Sequence, residues 1–221
     1  MKFLIASLSI AALCEANEIR IVASDSSRPA IVRAHVLNGS INVSGYDGNV
    51  IVAESRNVTA TEESGNVIRL HLTSDSSLTL RVPYATHLKL ECTNGGNLKV
   101  DHVSGDLELS NLNGGVYAMN VSGSVVASSQ NGRVMADFDK VTPGKDMSFT
   151  TLNGSVDVTF PAATKATVHM RSDNGSIESD FELKVGPGTY GSGKSIAGTI
   201  NGGGPDMTFR TINGNVHIRR K

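Results

Sequence analysis

Between residues 96 and 140 the chain says nearly the same thing every nine residues, and each unit opens on glycine: GNLKVDHVS, GDLELSNLN, GGVYAMNVS, GSVVASSQN and GRVMADFDK. Few patterns constrain a fold more tightly. Two and four places after each lead glycine stand apolar residues: Leu98/Val100, Leu107/Leu109, Val116/Ala118, Val125/Ala127 and Val134/Ala136. That alternation is the period of a half-buried strand and excludes a helix. Val103, Leu112 and Val121 add a third apolar residue seven places after the glycine. Asn or Ser then precedes the next glycine in most units, so each unit reads as strand, bend and corner.

Asn-Gly and Ser-Gly supply corners because glycine and asparagine tolerate positive φ at little cost. Eight Asn-Gly pairs begin at Asn38, Asn94, Asn113, Asn131, Asn153, Asn174, Asn201 and Asn213. Such pairs also close antiparallel hairpins. Here, however, successive units are near copies in one apolar phase, and stacking copies in parallel buries one continuous core. Two units make one coil, which matches the steps of 18, 22 and 21 residues from Asn113 to Asn131, Asn153 and Asn174. The expected fold is all-β: a single right-handed parallel β-helix, or β-solenoid, of 18–22 residues per coil. About ten coils at ~4.8 Å give a rod ~48 Å long. Its open ends need covering against edge pairing, for which residues 17–37 and the terminal HIRRK are the candidates.

Composition agrees: 23 Gly and no Trp, with abundant Ser, Thr, Asn and Val, favour strands over helices. Twenty basic and 21 acidic residues leave a net charge of −1. That balance lacks the polybasic footprint a phosphate backbone demands, so nucleic acid is not an expected partner.

The opening MKFLIASLSIAALCEA places a lysine before an apolar run from Phe3 to Leu13 and a small residue at Ala16. This is the layout of a secretory signal peptide, expected to be cleaved after Ala16. The run is shorter than the roughly 20 residues needed to span a bilayer. AALC is similar to a lipoprotein cleavage site before Cys14, but Leu13 stands where a small residue belongs, so a lipid anchor ranks second. The domain division is therefore 1–16 signal peptide and 17–221 solenoid, destined for the periplasm, the outer envelope or the medium. Once Cys14 leaves, Cys92 is the remaining thiol and no intramolecular disulfide can form. Cys92 alternates in phase with Leu88 and Leu90, which points it into the core as a small hydrophobe.

One segment imitates a nucleotide site. GTYGSGKS, Gly188 to Ser195, fits the phosphate-loop pattern, whose mechanism requires a strand before the loop and a helix after it. The following IAGTINGGGPD cannot sustain a helix against its glycines and proline, so no nucleotide is expected. The six histidines show no ligand spacing, and aspartate does not recur at one place in the repeat as a calcium ladder would require. No metal or cofactor is expected.

Outward carboxylates do occur, at Asp101, Asp106, Glu108, Asp137, Asp157 and Glu178. A pair of them could act as acid and base in a polysaccharide-cleaving β-helix, the rival reading. A soluble rod needs such charges regardless, and this chain lacks tryptophan platforms for sugar. The third place after each glycine reads Lys99, Glu108, Tyr117, Val126, Met135. If alternate units share a face, Tyr117 and Met135 become neighbours on adjacent coils. Tyr117, Val126 and Met135 are therefore the candidate partner surface on an otherwise polar exterior.

INVSGYDGNVIVAES, the alternating NG and SG units, and the closing GKSIAGTINGGGPDMTFRTINGNVHIRR together resemble a bacterial family of β-strand-repeat proteins named "putative adhesin". The resemblance implies a secreted or envelope-associated parallel β-helix and brings no catalytic or ligand residues with it. Pattern and resemblance lead to one expectation: an exported, non-enzymatic β-solenoid presenting an extended surface for adhesion or cell-envelope interaction. The alternative is a polysaccharide-binding or polysaccharide-cleaving β-helix.

Overall fold

A computed structural model describes residues 18–63, 66–72, 77–185 and 194–221. The expected signal peptide of residues 1–16, Cys14 within it, and most of the Gly188–Ser195 motif lie outside them. All the regular structure described is strand. The first seven strands are β1 (Glu18–Val22), β2 (Ile31–Asn38), β3 (Ile41–Tyr46), β4 (Val50–Glu54), β5 (Val58–Glu63), β6 (Val67–Leu72) and β7 (Leu78–Pro83). The central repeat supplies β8 (His87–Asn94), β9 (Leu98–Asp101), β10 (Ser104–Asn113), β11 (Val116–Asn131) and β12 (Val134–Val141). There follow β13 (Met147–Asn153), β14 (Val156–Phe160), β15 (Ala166–Asn174) and β16 (Ile177–Ser179). The last are β17 (Lys184–Val185), β18 (Lys194–Ile200), β19 (Asp206–Asn213) and β20 (Val216–Arg220).

The strands join in one continuous, solenoid-like sheet. One face runs β6–β2–β8–β10–β11–β13–β19–β15, all parallel. The other runs β7–β3–β9–β11–β12–β14–β20–β16, also parallel. Within the repeat, Leu107 pairs with Val125 and Val116 with Val134, so successive coils are offset by 18 residues as the two-unit coil requires. The long strand β11 bends between the faces and contributes to both, Val116 pairing with Leu98 and Leu107 with Val125.

At each end the coils are out of chain order. Coil β2–β3 lies between β6–β7 and β8–β9, and coil β19–β20 lies between β13–β14 and β15–β16. Of the segments expected to cover the ends, residues 18–22 do so as β1, whereas residues 31–37 lie inside the stack in β2 and the HIRR of the tail belongs to β20. The ends are closed by antiparallel pairs, β1–β4–β7 and β5–β6 at one, β15–β18 with β17–β18 at the other. Those caps consume chain that the expectation of about ten coils had assigned to the rod. The parallel stack has eight layers per face, about 34 Å at the usual strand spacing of ~4.8 Å. Antiparallel closure turns the last ladder groups back on the chain itself, which blunts the edge.

The repeat's inward positions form the core: Leu98, Val100, Leu107, Leu109, Val116, Ala118, Val125, Ala127, Val134 and Ala136 are all buried. Toward the β16 end the small aliphatics give way to Phe138, Phe149, Phe160 and Phe209. Phe138 stacks on Phe160 with ring centroids 5.0 Å apart, and Phe149 stacks on Phe209 at 5.3 Å. Edge contacts at 6.1–6.5 Å tie the two stacks together, an arrangement that satisfies the ring quadrupoles.

Like corners stack on like, and positive φ is only part of the reason. Gly39, Gly95, Gly202 and Gly214 of the Asn-Gly pairs have positive φ, and so does Asn201 among the asparagines, but Gly132 and Gly154 do not. Gly132 and Gly154 are required by close approach: a Cβ on Gly154 would collide with the carbonyl of Gly132, and one on Gly132 with that of Gly114. Glycine at the corner lets adjacent coils stay at strand spacing around the turn.

The asparagines form a ladder along that edge. Nδ2 of Asn113 donates to Oδ1 of Asn94 (3.0 Å), Asn131 to Asn113 (2.9 Å) and Asn153 to Asn131 (2.8 Å). Asn213 donates to Asn153 (2.7 Å) and Asn174 to Asn213 (2.9 Å). A second ladder lies just inside. Two residues before the asparagine, Ser129, Thr151, Thr211 and Ser172 donate their hydroxyls to the carbonyls of Gly114, Gly132, Gly154 and Gly214 on the neighbouring coil, at 2.7–2.8 Å. The amide of Asn111 does the same for Gly96 at 3.1 Å. The corner motif is therefore Ser/Thr-x-Asn-Gly, each polar residue satisfying a group that stacking would strand.

Candidate interaction surface

Outward residues fall into rows along the rod because strands pair in register and side chains alternate. Tyr117 on β11 pairs with Met135 on β12, so the two are neighbours on adjacent coils. Their row reads Thr79, Asn42, Lys99, Tyr117, Met135, Asp157, His217, Glu178. Both are half-buried, and the Tyr117 ring folds back over Gly115, where a Cβ would strike it. The pair thus forms a shallow apolar step between Lys99 and Asp157.

Val126 does not join them. It lies beyond the bend of β11, on the other face, paired with Glu108 and Ser148 and 47% exposed. Three residues read as one candidate surface belong to two. The reason is geometric: consecutive nine-residue units occupy opposite faces, so only alternate units share a row.

A further set of outward apolar residues, interrupted by Thr93 and Gln130, escaped notice in the sequence. The residue before each corner asparagine points outward beside the ladder, and it is Leu37, Leu112, Leu152 or Ile212 in four coils. Leu37 and Leu152 are 49% and 40% exposed. Its signal was present as the residue before each of four Asn-Gly pairs.

The six outward carboxylates have cationic or histidine neighbours. Asp106 receives Lys145 Nζ at 2.6 Å and Ser124 Oγ at 2.7 Å. Lys89 meets Glu108 at 2.6 Å, Arg219 meets Asp157 at 2.8 Å, and Lys221 bridges Asp137 and Asp139 at 2.6 and 2.9 Å. His102 lies 2.9 Å from Asp101, and His217 lies 3.9 Å from Glu178. The Lys145 hydrogen bond holds the Asp106 carboxyl below its ordinary pKa. Partial burial works to raise that of Asp101, but hydrogen bonds from Asn120 and His102 outweigh it and the net shift is downward. A glycosidase acid needs the opposite shift, to stay protonated near neutrality.

Cys92 is buried beside Val36 and Asn111 at the inner corner position, and desolvation pushes its thiol up to about 11. It is packing, not a nucleophile. Lys194 and Ser195 open strand β18, with Lys194 opposite Ser172 on β15. The residues after the glycine-rich motif are thus strand, and no helix N-terminus follows to receive phosphate. Among the described residues no group of three or more His, Cys, Asp or Glu side chains is placed to hold a metal ion.

Fold and surface together define an all-β, solenoid-like repeat scaffold with polar rows interrupted by small apolar steps. The chain belongs to the Toastrack DUF4097 family, whose model matches residues 17–219. Among solved structures it is similar to a "putative cell adhesion protein" from Clostridium sporogenes, at 11% identity and TM-score 0.43, over 92% of this chain and 99% of that one. It is likewise similar to a "putative adhesin" from Bacteroides fragilis, at 11% identity and TM-score 0.46, over 92% and 96% of the two chains. No curated protein matches the sequence.

Proposed function

We propose that this protein is an exported, non-enzymatic β-solenoid whose outer faces serve adhesion or attachment to a component of the cell envelope. The observation that carries the reading is the Tyr117–Met135 step, two apolar residues in register within a row otherwise polar or charged. Solvation alone gives no reason to place them there. Export rests on the signal-peptide layout of residues 1–16. A right-handed winding is the sense that twisted parallel strands favour in their crossovers.

Cleavage of polysaccharide is the weaker reading, because the outward carboxylates engage basic or histidine neighbours and those of Asp101 and Asp106 are held below their ordinary pKa. The test pairs an envelope-binding assay with a reducing-sugar release assay. The variant Tyr117→Ser/Met135→Ser is expected to lose binding while keeping its unfolding midpoint. Full retention of binding would remove the surface reading. Sugar release abolished by changing one outward carboxylate would replace it with the enzymatic one. Cell fractionation with sequencing of the mature N-terminus checks export: Asn17 as first residue supports free export, and a lipidated Cys14 means an anchored rod.

A further inference from the structure

The coils are not equally long, and the difference has a location. The step from Asn113 to Asn131 is 18 residues, but the next two are 22 and 21. In the short coil β11 runs through the corner opposite the asparagine ladder as unbroken strand. In the longer coils the extra residues fall at that same corner, as the connections 142–146 and 161–165. The connection 201–205, which turns β18 into β19, arrives beside them.

These three connections enclose a cleft of about 570 Å³, within the range of small-ligand sites. Its walls include Pro143, Pro161 and Pro205, with Lys140, Lys165 and Asp139 at the sides. The rim is braced by cross-links between the loops. Asn201 Nδ2 donates to the carbonyls of Ala162 (3.0 Å) and Thr164 (2.7 Å), and Thr167 Oγ1 donates to Gly204 O (3.1 Å). Asp146 Oδ1 accepts from the Asp206 amide at 2.9 Å, and Lys145 pins the first loop to Asp106. A site built this way exists before any ligand arrives, which lowers the ordering cost of binding.

The charges in the cleft are unbalanced in a useful direction. Asp139 is engaged by Lys221. Among the described residues neither Lys140 nor Lys165 has an ion-pair partner. The prolines contribute flat apolar plates and no N–H groups, so the walls offer apolar contact while the lysines offer positive charge. The complementary molecule has an apolar ring face and an anionic group, as a uronic acid ring does.

We infer that this cleft binds the acidic sugar units of an anionic polysaccharide through Lys140 and Lys165. The inference deepens the surface reading above and rests on it for the setting, an exported protein that meets glycans, but it uses a site away from Tyr117 and Met135. The probe is trigalacturonate, titrated calorimetrically into the purified protein, with neutral galactotriose, inorganic phosphate and hexaglutamate in parallel. Trigalacturonate is expected to bind at least tenfold more tightly than each of the others. Lys140→Gln/Lys165→Gln is expected to weaken it at least tenfold with an unchanged unfolding midpoint, and Ala163→Trp, which fills the cleft, to do the same. Equal affinity for phosphate or hexaglutamate would reduce the site to a general anion or acidic-peptide site and overturn the inference, as would wild-type affinity in the lysine variant. Tyr117→Ser/Met135→Ser should leave trigalacturonate binding untouched. Loss of envelope binding in that variant, with no trigalacturonate binding by the wild type, would sink this inference and leave the surface reading standing.

Discussion

Thr151→Val is the sharpest test of what holds the coils in register. Thr151 is 6% exposed, and its hydroxyl donates to the Gly132 carbonyl of the adjacent coil at 2.8 Å. Valine matches threonine in shape, so the exchange opens no cavity and removes one donor from a corner closed to water. A buried acceptor deprived of its donor costs about 1–3 kcal/mol. In a chain of this size, each kcal/mol lowers the melting temperature by about 2–4 °C. Equilibrium urea unfolding of Thr151→Val should therefore show a loss of about 1–3 kcal/mol at an unchanged m-value. Thr151→Ser keeps the hydroxyl and should recover most of that loss. Thr150→Val, one residue earlier and pointing outward, is the control and should stay within about 0.5 kcal/mol of the parent. If Thr151→Val proved as silent as the control, the inner ladder would be a by-product of stacking and not a cause of it.

Gly154→Ala should destabilise by about 1–3 kcal/mol or more, because its Cβ would be forced into the Gly132 carbonyl; soluble yield and melting temperature check this. Phe138→Ala should cost about 3–5 kcal/mol by opening the stacked aromatic core around Phe149 and Phe160, read by urea unfolding. The Cys92 thiol, buried and pushed up to about 11, should resist a thiol reagent in the native protein and react fully in urea. Acid should destabilise in a defined window. Asp106 and Glu63 have folded pKa values below their ordinary ones of 3.8 and 4.5, held there by hydrogen bonds from Lys145 and Arg69. Their stabilisation is thus complete above those ordinary values and disappears as pH falls through the lowered ones. The urea midpoint should be sensitive to pH below about 4, and Lys145→Met should make that dependence shallower.

The repeat made the coil legible from sequence. The places two and four after each lead glycine are the buried ones, and Asn113, Asn131 and Asn153 do stack. Tyr117 and Met135 are register neighbours and Val126 lies on the other face, a separation that a linear pattern does not show until the coil is closed. The hydroxyl at Ser129, Thr151, Ser172 and Thr211 was visible as part of the corner motif, yet its partner, a glycine carbonyl one coil away, is a relation between strands.

By itself, then, the sequence determined which residues face inward, where the chain turns and how long each coil is, because alternation and glycine placement act over a few residues. Only the tertiary structure decided which coil lies on which. Asn213 sits between Asn153 and Asn174, and Asn38 pairs with Asn94, although the chain order would place them elsewhere. Near-identical corners are interchangeable locally, so the choice among them falls to long-range packing and the need to close both sheet edges. The same closure carries 201–205 to the corner where the longer coils bulge, and so creates a cleft from three loops that are distant in the chain.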